Sequence, residues 1–174
     1  MIAETLNTKA MQQPQTGIIS PLIRYFRENN MSRDYTQFGA DHAILVPLVI
    51  PPSYTWQSPI YFPSQSILDG DNCTITAISV STTAEFDKTT EGVSNVSSRS
   101  TLKNAVLFIS NLRREVIAEL PLEMLTTDTN PGRPCLTHFD EQVWQNCYVQ
   151  LTASGTYTNQ AIMFTVYYRT KDKG

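Results

Sequence analysis

The chain predicts an all-β fold: an antiparallel β-sandwich preceded by an N-terminal arm with one short helix. Three observations carry that expectation. The segment Ala161 to Thr170 alternates cleanly, with Ile162, Phe164, Val166 and Tyr168 on one face and Met163, Thr165 and Tyr167 on the other. Asn146 to Ala153 sets Cys147, Val149 and Leu151 against Tyr148, Gln150 and Thr152 in the same way. From about residue 43 onward, strand-like runs follow one another, separated by Pro, Gly and Asn, with no second good helix pattern. One buried and one amphipathic face per strand suits two packed antiparallel sheets. The organisation read from this is an arm, 1–42, and a β-sandwich body, 43–174.

The arm comes first. Met1 to Gly17 holds Asn, Thr, Gln and Pro and little that packs, so it reads as extended, or disordered when alone. Ser20-Pro21 then offers an N-cap and a first-turn proline. Ile18, Leu22 and Phe26 follow at four-residue spacing, flanked by Ile19 and Ile23, and the stripe stops at Asn29-Asn30. A helix this short needs a surface to dock on. The expectation is that it docks on another subunit or under a shell rather than on its own body. Arg24, Arg27 and Arg33 give the arm local positive charge, which fits nucleic acid or acidic lipid, and equally fits a solvated helix face.

The body opens with Ala43 to Ile50, an apolar run broken by Pro47, which points to an edge strand or a bulge. Thr55 to Phe62 reads as the second strand. Leu68 to Asn72 is a turn, and Cys73 to Thr82 is a Thr- and Ile-rich strand. Thr83 to Lys103 reads as a long surface loop. Asn104 to Ser110 and Glu115 to Leu120 form a hairpin around Asn111 to Arg114. Thr126 to Pro134 is another loop. Asn146 to Ala153 and Ala161 to Thr170 form the last pair, joined through Ser154-Gly155. Seven or eight strands in two sheets of four, with long crossovers, describe a single jelly roll. The immunoglobulin-like sandwich is the alternative, but its Cys, Trp, Cys order is not evident.

Composition narrows the function classes. Of 174 residues, 41 % are apolar and only 17 % charged, below the usual quarter, with Ser, Thr, Asn and Gln in their place. Such a surface suits neutral, close contacts. A net charge of −3 argues against a general nucleic-acid binder, which would show a basic face. The polar start implies no signal peptide and synthesis in a host cytoplasm. Cys73, Cys135 and Cys147 are odd in number and lack metal-site spacing, so they read as free thiols in apolar roles. The sequons at Asn72 and Asn95 are expected by chance in a chain rich in Asn, Ser and Thr.

Candidate chemistry is sparse. His138 with Asp140 and Glu141 has the makings of a base and its orienter, or of a loop histidine among acidic neighbours. Asp69 and Asp71 can present oxygens to calcium, or shape a turn. Tyr54, Trp56 and Tyr61 can form a sugar-stacking row, or divide between the core and the sheet edge. No nucleotide or nucleophile-elbow motif is present. The reading is no enzyme, with no catalytic residues, no cofactor and no metal.

A layout then emerges. A polar arm precedes the body; Cys73-Thr-Ile-Thr-Ala-Ile-Ser-Val80 follows an Leu68-Asp-Gly turn. Asn104 to Ser110, the Arg113-Arg114 turn and Val116 to Leu122 come next, and the chain closes on Ala161 to Tyr168. From residue 43 to 170 this resembles the single jelly-roll capsid proteins of tailless icosahedral bacteriophages, in particular the penton or minor capsid proteins. The resemblance implies a virion structural protein that self-assembles at capsid vertices as a homo-oligomer, a pentamer, in contact with other capsid proteins. It implies an arm running beneath the shell toward an internal membrane or the genome; the residues expected to serve as that assembly arm, Ile18, Leu22, Phe26, Arg24 and Arg27, come from the spacing and charge read above and not from the resemblance. The competing expectation is a carbohydrate-binding or receptor-binding β-sandwich module.

Overall fold

In a computed structural model of the protein, residues 38–81, 102–103, 105–126, 135–157 and 160–172 are described. They form strands β1 (His42–Val49), β2 (Ser53–Tyr54), β3 (Ile60–Tyr61), β4 (Cys73–Ser81), β5 (Val106–Ser110) and β6 (Val116–Pro121). A single helical turn, α1 (Leu122–Leu125), precedes β7 (Cys135–Phe139), β8 (Tyr148–Gln150), β9 (Gly155–Thr156) and β10 (Ala161–Thr170). The fold is all-β. Two four-stranded antiparallel sheets run in the orders β1-β10-β4-β7 and β3-β8-β5-β6, and β2 pairs with β9.

Leaving aside the short β2–β9 pair, the strands pair in a nested way. The first pairs with the last (β1–β10), then β3 with β8, β4 with β7 and β5 with β6. The chain is thus one long folded hairpin whose tip is the β5–β6 turn. Two further pairs, β10–β4 and β5–β8, stitch it into sheets.

The alternation read in Ala161 to Thr170 is realised. Ile162, Phe164, Val166 and Tyr168 join Ile44, Val46, Leu48, Ile75, Ile78 and Val80 in a buried cluster with Leu107, Ile109 and Val149 of the second sheet. Phe62, just after β3, bridges the sheets. Its ring lies 5.1 Å from Phe164 and 4.5 Å from Trp144, centroid to centroid. Burying aromatics of this size supplies much of the free energy that holds two sheets together.

The proline in the first strand is accommodated at an edge: among the described residues β1 pairs only with β10. The β5–β6 hairpin is set by Asn111. Its side-chain oxygen accepts from the backbone N–H of Arg113 (2.9 Å) and Glu115 (3.0 Å), and Arg114 takes a φ of 62° to close the turn. The turn before β4 is likewise real: Asp69 accepts from the N–H of Asn72 and Cys73 through its carbonyl.

Four expectations change. Thr55 to Phe62 is not one strand. Gln57 has a φ of 62° and Ser58 N–H donates to Thr55 O at 3.0 Å, so a turn separates β2 from β3. The segments read as the last pair lie in different sheets, β8 beside β3 and β5, β10 between β1 and β4. Alternation specifies a face and not a partner. Cys147 precedes β8, at the end of a 3-10 turn over Trp144–Asn146. Finally β7, around His138, is a strand the sequence reading missed; among the described residues it pairs on one side only, so its pattern is weak.

Candidate functional site

The outer face of the β3-β8-β5-β6 sheet carries a row of side chains that the register sets directly opposite one another. Tyr61 faces Tyr148, Tyr148 faces Phe108 and Phe108 faces Glu119, so the row crosses all four strands. Tyr148 and Phe108 stack with centroids 4.7 Å apart and planes 12° from parallel, and Tyr61 leans on Tyr148 at 5.4 Å. Tyr61, on the edge strand, is 54 % exposed. Partial burial pushes the Tyr148 hydroxyl above its ordinary pKa, and the neighbouring Tyr61 and Glu119 add to the rise. Phenol hydroxyls and a carboxylate therefore sit together beside aromatic surface, the mixture that a sugar ring or a polar partner surface matches.

Of the aromatics singled out in the sequence, only Tyr61 belongs to this row. Tyr54 is buried, donating to Ser58 O (2.6 Å) and accepting from Leu151 N–H (3.0 Å). Trp56 is exposed at the β2–β3 turn, where its backbone N–H donates to Ser154 Oγ at 2.8 Å. Tyr148 and Phe108 were legible only as members of alternating strands, because cross-strand register is not written in one segment.

A second feature is the distribution of exposed large apolar side chains. Leu112, Val116, Ile117, Met124 and Leu136 lie on the β5–β6 turn, the edge strands β6 and β7, and α1 between them. Val49, Trp56 and Tyr61 lie on the edge strands β1 and β3 or the turn before β3. No residue from Ala43 through Leu68 is charged, so β1 and β3 lack the charges that usually guard a sheet edge. That charge-free run was available in the sequence.

The other candidates resolve individually. His138 Nε2 stands 3.9 Å from Asp140 Oδ2, beyond hydrogen-bond distance, on an exposed surface. Asp69 Oδ1 accepts from the backbone N–H of Trp144 at 2.7 Å, which ties its carboxylate to the fold. Among the described residues, no group of three His, Cys, Asp or Glu gathers as a metal site. The cysteines are free, with Cys73 and Cys147 buried and Cys135 half-buried. Burial pushes the Cys73 and Cys147 thiols up to about 12, so they are poor nucleophiles. Ile18, Leu22, Phe26, Arg24 and Arg27 lie outside the described residues. Among the described residues no helix is long and apolar enough to cross a membrane. No family model, curated protein or solved structure matches the chain.

Proposed function

We propose that the chain is a single jelly roll and serves as a non-catalytic structural protein of a virion, self-assembling into the capsid as its vertex (penton) protein. The observation that carries this reading is the nested pairing of β1 with β10, β3 with β8, β4 with β7 and β5 with β6. A hairpin of eight strands, folded over so that its pairs divide between two sheets, is the jelly-roll path, and viral capsid domains are among its commonest users. Assembly is further supported by the edges. Exposed apolar groups collect at both lateral sides of the sheets, and the segment from Ala43 through Leu68 that carries β1 and β3 holds no charged residue. Two different sides on one molecule suit head-to-tail contacts that close into a ring, as a pentamer requires. Other capsid proteins and an internal membrane or genome are the further partners in this reading.

The test is the mass and symmetry of the purified full-length protein, by light scattering and electron-microscopic class averages. A five-fold ring is the expected result. Ile117→Asp on β6 is expected to shift the protein to monomer. A monomer at all concentrations, indifferent to this change, ends the reading.

A second reading, a carbohydrate-binding or receptor-binding module, is favoured by the Tyr61–Tyr148–Phe108 row. It predicts glycan binding by the monomer that Tyr61→Ala reduces about tenfold, the loss of one stacking contact worth roughly 1 kcal/mol or somewhat more.

A further inference from the structure

The β5–β6 turn carries a strained arginine. Asn111 N–H donates to Glu115 O and Arg114 N–H donates to Asn111 O, each at 3.0 Å, so Leu112, Arg113 and Arg114 form a three-residue loop. In such a loop the last position is left-handed, and glycine fills it without steric cost. Here it holds Arg114, with a φ of 62°. A long side chain in that conformation costs stability that glycine would spare. Backbone strain of this kind collects where a side chain serves a function. The loop is also held firmly at its base. Asn111 Nδ2 donates to Glu115 Oε2 at 2.8 Å, and the Asn111 carbonyl accepts from Asn146 Nδ2 at 2.9 Å.

What the loop presents is uncommitted. Leu112 is 79 % exposed, the most of any large apolar side chain among the described residues. Arg113 and Arg114 are exposed, and among the described residues neither guanidinium makes an ion pair or a hydrogen bond. A matching surface lies across the same sheet. On the β3 edge Tyr61 is 54 % exposed and Pro63 is exposed beside it, within the uncharged run from Ala43 through Leu68. The turn and this edge stand at one level of the sheet. Asn146 Nδ2 reaches the base of the turn, and Phe62 N–H donates to the adjoining Cys147 O at 3.2 Å. They lie on opposite sides, because β3 and β6 are the two outer strands of their sheet. A second copy set beside the first in the same sense, β6 toward β3, brings the turn of one against Tyr61 of the other.

We infer that the Leu112-Arg113-Arg114 turn docks on the edge around Tyr61 and Pro63 of a second copy, with a guanidinium stacked on the Tyr61 ring and Leu112 against Pro63. Arginine over a tyrosine face gains from the ring's quadrupole, and its weakly hydrated plane loses little on leaving water. The uncharged edge holds no cation to oppose it. The contact is head-to-tail, so it rests on the reading that copies close into a ring, and it names the groups that join them. It assigns exposed Tyr61 to the contact between subunits instead of to a glycan.

Two measurements on the full-length chain test it. Arg114→Gly removes the side chain and relieves the left-handed backbone. Its melting temperature, read below the assembly concentration, should hold or rise, while the concentration at which rings form by light scattering should increase about tenfold. Tyr61→Phe should assemble as the unaltered chain does, and Tyr61→Ser should be weakened as Arg114→Gly is. Rings that form unchanged in both Arg114→Gly and Tyr61→Ser overturn the inference and leave the ring standing. A loss in Arg114→Gly that Tyr61→Ser does not share overturns it in favour of another partner surface. An unaltered chain that stays monomeric at all concentrations ends the ring and this contact together. In the second measurement, Leu112→Cys and Tyr61→Cys chains, each also carrying Cys135→Ser, are mixed, concentrated and oxidised. A disulfide joining one variant to the other supports the docking. Bridges confined to one variant, or none where rings form, overturn it.

Discussion

Gly70 has no room for a side chain. A Cβ there would run into the backbone carbonyl of Asp140 and lie 2.9 Å from Glu141 Cα, atoms that cannot swing aside. The close approach closes a latch. Gly70 N–H donates to Gln142 O at 2.6 Å, Gln142 Nε2 donates to Leu68 O at 2.8 Å, and the Asp69 carboxylate accepts from the backbone N–H of Trp144. The latch joins the turn before β4 to the segment after β7, far apart in sequence. Gly70→Ala should cost on the order of 2–4 kcal/mol, as steric conflicts in tight packing do, lowering the urea midpoint without changing its slope. A loss below about 0.5 kcal/mol would mean that the two segments can separate freely. The thiols offer a second check at this scale. Cys135 should react promptly with a thiol reagent in native protein, and Cys73 and Cys147 only at the rate of unfolding.

Among the elements, β4 and β10 are buried on both faces apart from the last two residues of β10, whereas β6 alternates between exposed and half-buried. Amide exchange should accordingly be slowest in β4 and β10, the two central strands of their sheet, and fastest in the two-residue β2–β9 pair. The β5–β6 hairpin depends on one side chain. Asn111→Ala removes two bonds to backbone N–H and the 2.8 Å bond from Asn111 Nδ2 to Glu115. The site is exposed, so water replaces the lost partners, and the expected cost is about 1 kcal/mol, measurable as a lowered denaturant midpoint. A cost near zero would show that the turn is set by backbone conformation alone.

For the molecule as a whole, buried acids make stability fall in alkali. Burial, the first cause in each case, pushes Cys73 and Cys147 from 9.0 to about 12 and Tyr168 from 10.0 to about 12. Folding thus favours their protonated forms. Below about pH 9 both folded and unfolded thiols keep their protons, and this contribution is fully present. Between pH 9 and 12 the unfolded thiols ionise and the folded ones do not, so stability declines by up to about 1.4 kcal/mol per pH unit for each. The melting temperature should hold steady from pH 7 to 9 and drop steeply above it. Cys147→Ala should flatten that drop, and an unchanged slope would place the loss elsewhere.

The sequence by itself determined the all-β class, the faces of β8 and β10, that the strand bearing Pro47 must lie at an edge or carry a bulge, and the hairpin at Asn111. Each of these is local: two-residue periodicity, a missing N–H, and side-chain bonds within a turn act over a few neighbouring residues. Tertiary structure decided which strands pair, because Val149 and Phe164 present the same alternation yet serve different sheets. It also decided the row formed by Tyr61, Tyr148 and Phe108, drawn from segments dozens of residues apart, and the latch at Gly70, where backbone meets backbone. Contacts of that kind depend on how far the folded hairpin slides and rolls as one body, a quantity set by the packing of the whole core around Phe62, Trp144 and Phe164 rather than by any single stretch of chain.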